Sequence, residues 1–481
     1  MDPPPPEPTS NLFAAPRAGR VIWAYGALLV LGAAAALFLG GLQQGGASST
    51  PTVVAASGGH SAGDVPLQAL LLALATITLT ARVMGAAFER FLQQPAVMGE
   101  IAAGLVLGPS VLGAALPEVQ AFLLPPVAAP YLGAVAKLGV VLFMFLVGLE
   151  FDPHSLKGNA RSAVVVSNAG ILVPFIGGAA LAWPLFGSYA GPHCNFPIFM
   201  LFLGVSLSVT AFPVLARILI DRNLHRTALG LTALAVAAVG DATAWCLLAF
   251  VSGVARIQAS NAVTTVALVL AFAAAVVLIV RPLVRKLAER EARRDGELES
   301  TVLAVVFGAL LLCAAVTEAI GIHALFGAFA FGVVLPHEGR LAAQLKARMA
   351  DLVSVLLLPV FFAFTGLRTQ IGLLSSGADW ALCGAIVLVA TLGKIGGVAC
   401  TARFLGLPWR PAGMLGVLMN TRGLMELIVL NVGLDMGILS PTLFAMLVLM
   451  ALITTFGTAP LLALFGPVDG TPPTPPQRES R

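Results

Sequence analysis

The sequence is poor in charge. Only 10% of its 481 residues are Asp, Glu, Lys or Arg, against about 25% in soluble globular domains. With 58% hydrophobic residues and a mean hydropathy of +0.95, that deficit excludes a water-soluble enzyme. Cysteine is scarce too: Cys194, Cys246, Cys313, Cys383 and Cys400 fall at no paired or metal-ligand spacing. Neither disulfides nor a metal cluster is expected. A GxGxxG fingerprint, a P-loop and an HExxH pair are absent, which removes nucleotide binding and zinc hydrolysis from the reading. No cofactor and no enzymatic activity are expected. The net charge of +4 does not point to a nucleic-acid partner, because the basic residues lie in short loops between apolar runs.

Those runs dominate the chain. A membrane-spanning helix needs about 20 mostly apolar residues, and the sequence reads as fourteen segments, near 22–42, 66–88, 96–114, 130–149, 162–184, 196–216, 227–255, 262–280, 300–319, 321–336, 350–367, 379–402, 411–433 and 441–466. Alternate loops differ sharply in charge. One set carries the basic residues from Arg17 and Arg20, through Arg217, Arg222 and Arg226 and the dense run from Arg281 to Arg294, to Arg403, Arg410 and Arg478. The other set carries Arg256 and Arg368. The positive-inside rule then sets both termini in the cytoplasm. Residues 1–20 form a Pro-rich cytoplasmic tail, 21–65 an additional span with an extracytoplasmic loop, and 467–481 a second Pro-rich cytoplasmic tail. A cleaved signal sequence is the alternative for the first segment. The mixed-charge stretch 281–299 reads as a solvated cytoplasmic connector helix.

Two segments are interrupted in matching ways. The sixth contains Ser208–Leu219, where Thr210 and Pro213 break the apolar pattern; the thirteenth contains Leu418–Leu427, where Asn420, Thr421 and Gly423 do so. They lie seven segments apart and therefore run in opposite directions. Two five-span inverted repeats, about 96–255 and 321–466, account for this, and paired interrupted helices point to a transporter's binding site.

Charges at mid-membrane depth are costly, about 2.5–3.5 kcal/mol on insertion scales, and are functional candidates. Asp241, Lys394, Arg422 and Glu426 all lie midway along apolar segments, at the depth of Thr210. A broken helix leaves unpaired N–H groups at one end and unpaired C=O groups at the other. Carboxylates suit the first and cations the second. A carboxylate is also a hard oxygen ligand for an alkali cation, and a proton competes for the same atoms. Arg422 and Glu426, four apart, share one helical face and neutralise each other. His323 reads as a packing histidine.

At these residues the sequence resembles the monovalent cation:proton antiporter-2 family, most of all its plant-type cation/proton exchanger branch and bacterial relatives. The matching stretches are Gly99–Gly113, Leu142–Asp152, Ser208–Leu219, Pro359–Ile371 and Gly416–Gly433, spread in the family's order over about residues 66–466. The resemblance implies an all-α polytopic membrane protein with the sodium/proton antiporter fold, thirteen core spans plus one N-terminal extra span, and two crossed discontinuous helices. It implies a homodimer in the plasma membrane, or the inner membrane of a bacterium, exchanging K⁺ or Na⁺ for H⁺. Carried over, Asp241 matches the ion-binding aspartate with an alkali cation at its carboxylate, and Thr210 lies beside it. Lys394, Arg422 and Glu426 compensate the crossed helices. Thr210, Ala211, Phe212 and Pro213 form one crossing, and Asn420, Thr421 and Gly423 the other. Many relatives carry a second acidic or amide residue where this chain has Gly240, which favours electroneutral exchange and leaves Asp241 as the expected partner of Lys394. No cytoplasmic regulatory domain is expected. A gated cation channel and a cation-coupled solute symporter stay open as alternatives.

Overall fold

The computed structural model describes residues 67–465, except 93, 151–159, 193, 223, 225–226, 257–261, 293–298, 321–322 and 337–338. The expected first span and both tails lie outside the described residues.

The described chain is helical throughout. Its principal elements are α1 (Leu67–Ala87), α2 (Ala96–Leu107), α3 (Ala129–Glu150), α4 (Ala160–Tyr189), α5 (Phe196–Ser208), α6 (Phe212–Asp221), α7 (Ala228–Arg256), α8 (Ala262–Ala275) and α9 (Arg281–Ala292). They continue with α10 (Ser300–Ile320), α11 (Ala324–Val334), α12 (Arg340–Leu352), α13 (Leu358–Arg368), α14 (Gly377–Phe404), α15 (Trp409–Met419), α16 (Leu424–Asp435) and α17 (Pro441–Leu464). Among the described residues, 10 helices are long and apolar enough to cross a membrane, or 11 with the bent pair α15–α16 taken as one span. Each apolar segment read from residue 66 onward coincides with a helix or a helix pair. The expected connector helix is α9, and it continues α8 through a single π turn, Val276–Val280; that wider turn falls just ahead of Pro282, which has no N–H to donate to the preceding turn.

Local chemistry sets the other ends. Asn195 caps α5 by accepting from the Ile198 N–H at 3.1 Å, with Pro197 in the first turn. Ser376 and Asp379 form a reciprocal capping box on α14. Ser440 caps α17 and Pro441 opens it.

The helices pack as two bundles. One gathers α4–α7 with α14–α17; the other gathers α1–α3 with α10, α11 and α13. Backbone-to-backbone approach holds the second bundle together. A methyl on Gly104 would meet the Ala363 carbonyl oxygen at 2.1 Å, and one on Gly366 the Ile101 carbonyl oxygen at 2.4 Å. Small residues at α2–α13 are therefore obligatory, as expected where helix association in lipid relies on close van der Waals contact. Phe145 stacks on Phe331 between α3 and α11. The bundles meet along α13 and α16.

Candidate cation and proton site

The two interrupted segments break where the sequence places the interruptions. Between α5 and α6 the chain is non-helical at Val209, Thr210 and Ala211, and between α15 and α16 at Thr421, Arg422 and Gly423, with Asn420 closing α15. The breaks touch. The Ala211 N–H donates to the Thr421 carbonyl at 3.0 Å, and the Thr210 hydroxyl donates to the Met419 carbonyl at 3.3 Å. The Thr421 hydroxyl donates to Leu418 at 2.7 Å. Groups that helix interruption leaves unpaired are thus paired across the crossing rather than abandoned in a dry interior, where each costs several kcal/mol. Gly423 has φ +158°, and a methyl there would meet Val214 Cγ2 at 2.9 Å. Gly is required at this turn by both backbone and space.

The two breaks expose four helix ends, and charge complements three of them. At the C-terminus of α5, the Arg422 guanidinium donates to the carbonyls of Ser206 at 3.3 Å and Leu207 at 2.7 Å. Lys394, from α14, donates to the Ser208 carbonyl. Two cations therefore cover the negative end of one half-helix. Glu426 lies in the first turn of α16, at its positive end, and accepts from Arg422 at 3.1 Å. Asp241, midway along α7, faces the backbone N–H of Phe212, the first residue of α6. Pro213 is the second residue of that half-helix, a position Pro tolerates. All four charged groups are buried: Asp241 is 7% exposed, Lys394 2%, Arg422 and Glu426 0%.

Asp241 differs from the rest in what surrounds it. Its Oδ1 is buried without a hydrogen-bond partner, as are Glu426 Oε1 and Asn420 Oδ1, but Asp241 also lines a cavity of about 10 Å³ together with Val209, Ala244, Trp245, Leu248, Met425 and Val429. That is roughly the space one water needs. Ala244, Trp245 and Leu248 follow Asp241 at helical spacing on one face of α7. An unpaired carboxylate oxygen beside a one-particle cavity, with helix N-terminal amides behind it, can take a proton or a small cation.

The structure refines two expectations. Lys394 hydrogen-bonds the Ser208 carbonyl, because that helix end lacks N–H partners of its own, and Asp241 acts on it as a neighbouring opposite charge rather than as a hydrogen-bonded partner. The Thr210 hydroxyl is committed as a donor to the crossing, so only its lone pairs face other groups. The Arg422–Glu426 pair forms, though not across a helix face as expected, because Arg422 lies in the break ahead of α16; Arg422 also caps the end of α5. Thr455 escaped the sequence reading: it accepts from the Arg422 N–H at 2.9 Å and donates to the Arg422 carbonyl at 2.8 Å. The run Thr454, Thr455 and Thr458 inside the apolar α17 was the signal available.

A sodium/hydrogen exchanger transmembrane family model matches residues 74–464. The chain belongs to that family. It is 41% identical over 403 residues to the Na(+)/H(+) antiporter NhaS4 of Synechocystis sp., covering 83% of this chain and 98% of that protein. Cation/H(+) antiporter 17 of Arabidopsis thaliana is 40% identical over 420 residues, and K(+)/H(+) antiporter 1 of Saccharomyces cerevisiae 36% over 416. The chain spans 50% of the plant protein and 47% of the yeast one. Among solved structures, the sodium proton antiporter MjNhaP1 of Methanocaldococcus jannaschii matches with a TM-score of 0.59 at 16% identity, over 83% of this chain and 99% of that one. At that identity the likeness shows the fold. The exchanger family is a family of transporters, and the resemblance to cation:proton antiporters holds. The chain is an integral membrane protein.

Proposed function

We propose that the protein is a secondary antiporter that exchanges a monovalent alkali cation, K⁺ or Na⁺, for H⁺ at Asp241. The observation that carries this reading is the buried, unpartnered Asp241 oxygen on a cavity sized for one particle. Relatives named as Na(+)/H(+) and K(+)/H(+) antiporters support both cations as substrates. Proton and cation bind the same carboxylate by turns, and the crossing carries Asp241 from one side of the membrane to the other. Lys394 and Arg422 keep the α5 terminus neutral throughout, so they hold the site's shape and do not bind the cation. The working unit spans about residues 66–466 as thirteen spans arranged in two inverted repeats. It forms a homodimer in the plasma membrane, or the bacterial inner membrane, with both termini cytoplasmic and an extra span near residues 21–65.

Exchange should be electroneutral. Replacing a proton by one monovalent cation at Asp241 leaves the site's charge unchanged, and Gly240 contributes no second carboxylate. A methyl at Gly240 would meet Ser167 Oγ at 3.1 Å, so the neighbouring space is already taken by a hydroxyl. In sealed proteoliposomes, cation-driven proton flux should follow the pH gradient and stay constant when a membrane potential is imposed by an ionophore for an ion that is not a substrate. A rate that tracks voltage would show a second charge moving and turn attention to Lys394.

A further inference from the structure

A second charged cluster lies between the two bundles, at the opposite end of α16 from the crossing. Asp435, the last residue of α16, accepts from Lys137 of α3 at 2.9 Å and from Arg368 of α13 at 2.7 Å. Arg368 also donates to the Asn431 side-chain oxygen at 3.0 Å, and Asn431 donates to the Thr365 hydroxyl at 2.9 Å. Asp435 and Asn431 belong to the bundle that carries Asp241; Lys137, Arg368 and Thr365 belong to the other.

Local helix chemistry does not account for Asp435. A carboxylate at a helix C-terminus opposes the macrodipole, so its place there is explained by the two cations it meets across the interface. The Asp435 side chain is 24% exposed and Arg368 25%, so this pair is less screened than Arg217–Glu89, another ion pair between the bundles, at 55% and 42%; Lys137 is 59% exposed and adds the weaker contact.

The cluster also lines a space of its own. Lys137, Arg368, Asn431 and Asp435 line a cavity of about 30 Å³ with Ile428 and Val432, while Met425 and Val429, one turn further back on α16, line the Asp241 cavity. From Val429 to Asp435 is six residues, about 9 Å of helix. One half-helix thus contributes to both the binding cavity and the cluster.

We propose that Asp435, clamped by Lys137 and Arg368, is the gate on the Arg368 face of the protein: the pairs hold the bundles together there and must part before Asp241 opens to that side. The gate rests on the alternating-access reading given above. It assigns Asp435, Arg368 and Lys137 to the transport cycle, although none of them touches the transported cation at Asp241.

The test joins the two bundles reversibly. In a background with the five native cysteines replaced by alanine, Lys137→Cys and Asp435→Cys are bridged by a short bis-methanethiosulfonate reagent and exchange is followed in proteoliposomes before and after reduction. Bridging should lower cation–proton exchange about tenfold, with recovery on adding dithiothreitol. Undiminished exchange in the bridged protein would overturn the gate. Asp435→Asn needs no bridge: it should raise labelling of Val429→Cys by a membrane-impermeant thiol reagent, added to the Arg368 face, about fivefold. Unchanged labelling in Asp435→Asn would also overturn it. Absence of exchange in the wild-type protein, by contrast, would count against the antiporter reading and not against the gate.

Discussion

Asp241→Asn will reduce cation-dependent proton flux to that of empty liposomes while leaving the protein able to insert, purify and remain folded. The amide is nearly the same size as the carboxylate and still accepts from the Phe212 N–H, so the crossing keeps its geometry. It cannot exchange a proton for a cation. The cavity residues around it, Val209, Trp245, Leu248, Met425 and Val429, are apolar and offer no substitute ligand. Structural damage would appear as lost thermal stability. The expected result is a normal melting profile with no exchange, measured on the same preparation by fluorescence-monitored unfolding and a pH-sensitive dye. Wild-type-like flux in Asp241→Asn would remove Asp241 from the mechanism.

The largest stability effect will come from Arg422→Ala. Its guanidinium is wholly buried and serves three acceptors: the Ser206 and Leu207 carbonyls and Glu426. Removing it strands two carbonyls at the α5 terminus and leaves Glu426 as a buried carboxylate without its hydrogen-bonded cation. Breaking a buried pair from one side costs about 3–5 kcal/mol, and orphaned buried acceptors add to it. Arg422→Lys should recover only part of that loss, because a single ammonium cannot reproduce the guanidinium fork that spans adjacent carbonyls. Thermal unfolding in detergent checks both: Arg422→Ala should melt lower by on the order of 10 °C, with Arg422→Lys between it and wild type. An Arg422→Ala protein as stable as wild type would mean that the α5 terminus is satisfied some other way.

The contrast between these two substitutions reflects a division within the crossing. Arg422, Glu426 and Lys394 each hold at least one hydrogen bond at a helix end, whereas Asp241 lines open space with one oxygen unpartnered. A site that must release its cation in each cycle needs one ligand group whose partners are mobile, set in a frame held by hydrogen bonds of its own.

How much of this was legible in the sequence follows from what spacing can encode. Apolar runs define helices because lipid leaves the backbone no partner but itself, so the segments from residue 66 onward match helices. Pro213 and Gly423 mark the breaks because one lacks an N–H and the other tolerates a φ of +158°. Arg422 and Glu426 are four apart and do pair, but Arg422 lies in the break and Glu426 in the first turn of α16, so the shared helix face that the spacing suggests is not how they meet. The partner of Lys394 was not readable. It is a backbone carbonyl, a group every residue carries, and its need for a donor arises only once α5 ends at Ser208. Thr455 was missed for a similar reason: its partners are the N–H and C=O of Arg422, which carry no side-chain signature. The Asp435 cluster draws on α3, α13 and α16, whose adjacency is a matter of bundle packing. In the sequence Lys137 lies within an apolar segment and Arg368 in a loop, and no spacing links either to Asp435.

The central claim is that one carboxylate takes a cation and a proton by turns, and proton release from purified protein tests it most directly. In weakly buffered detergent solution near the pH at which Asp241 is half protonated, found by titration, adding K⁺ or Na⁺ should release protons in proportion to the cation bound. Asp241→Asn should release none. Cation binding by the wild-type protein with no proton released, or equal release from wild type and Asp241→Asn, would contradict the shared site.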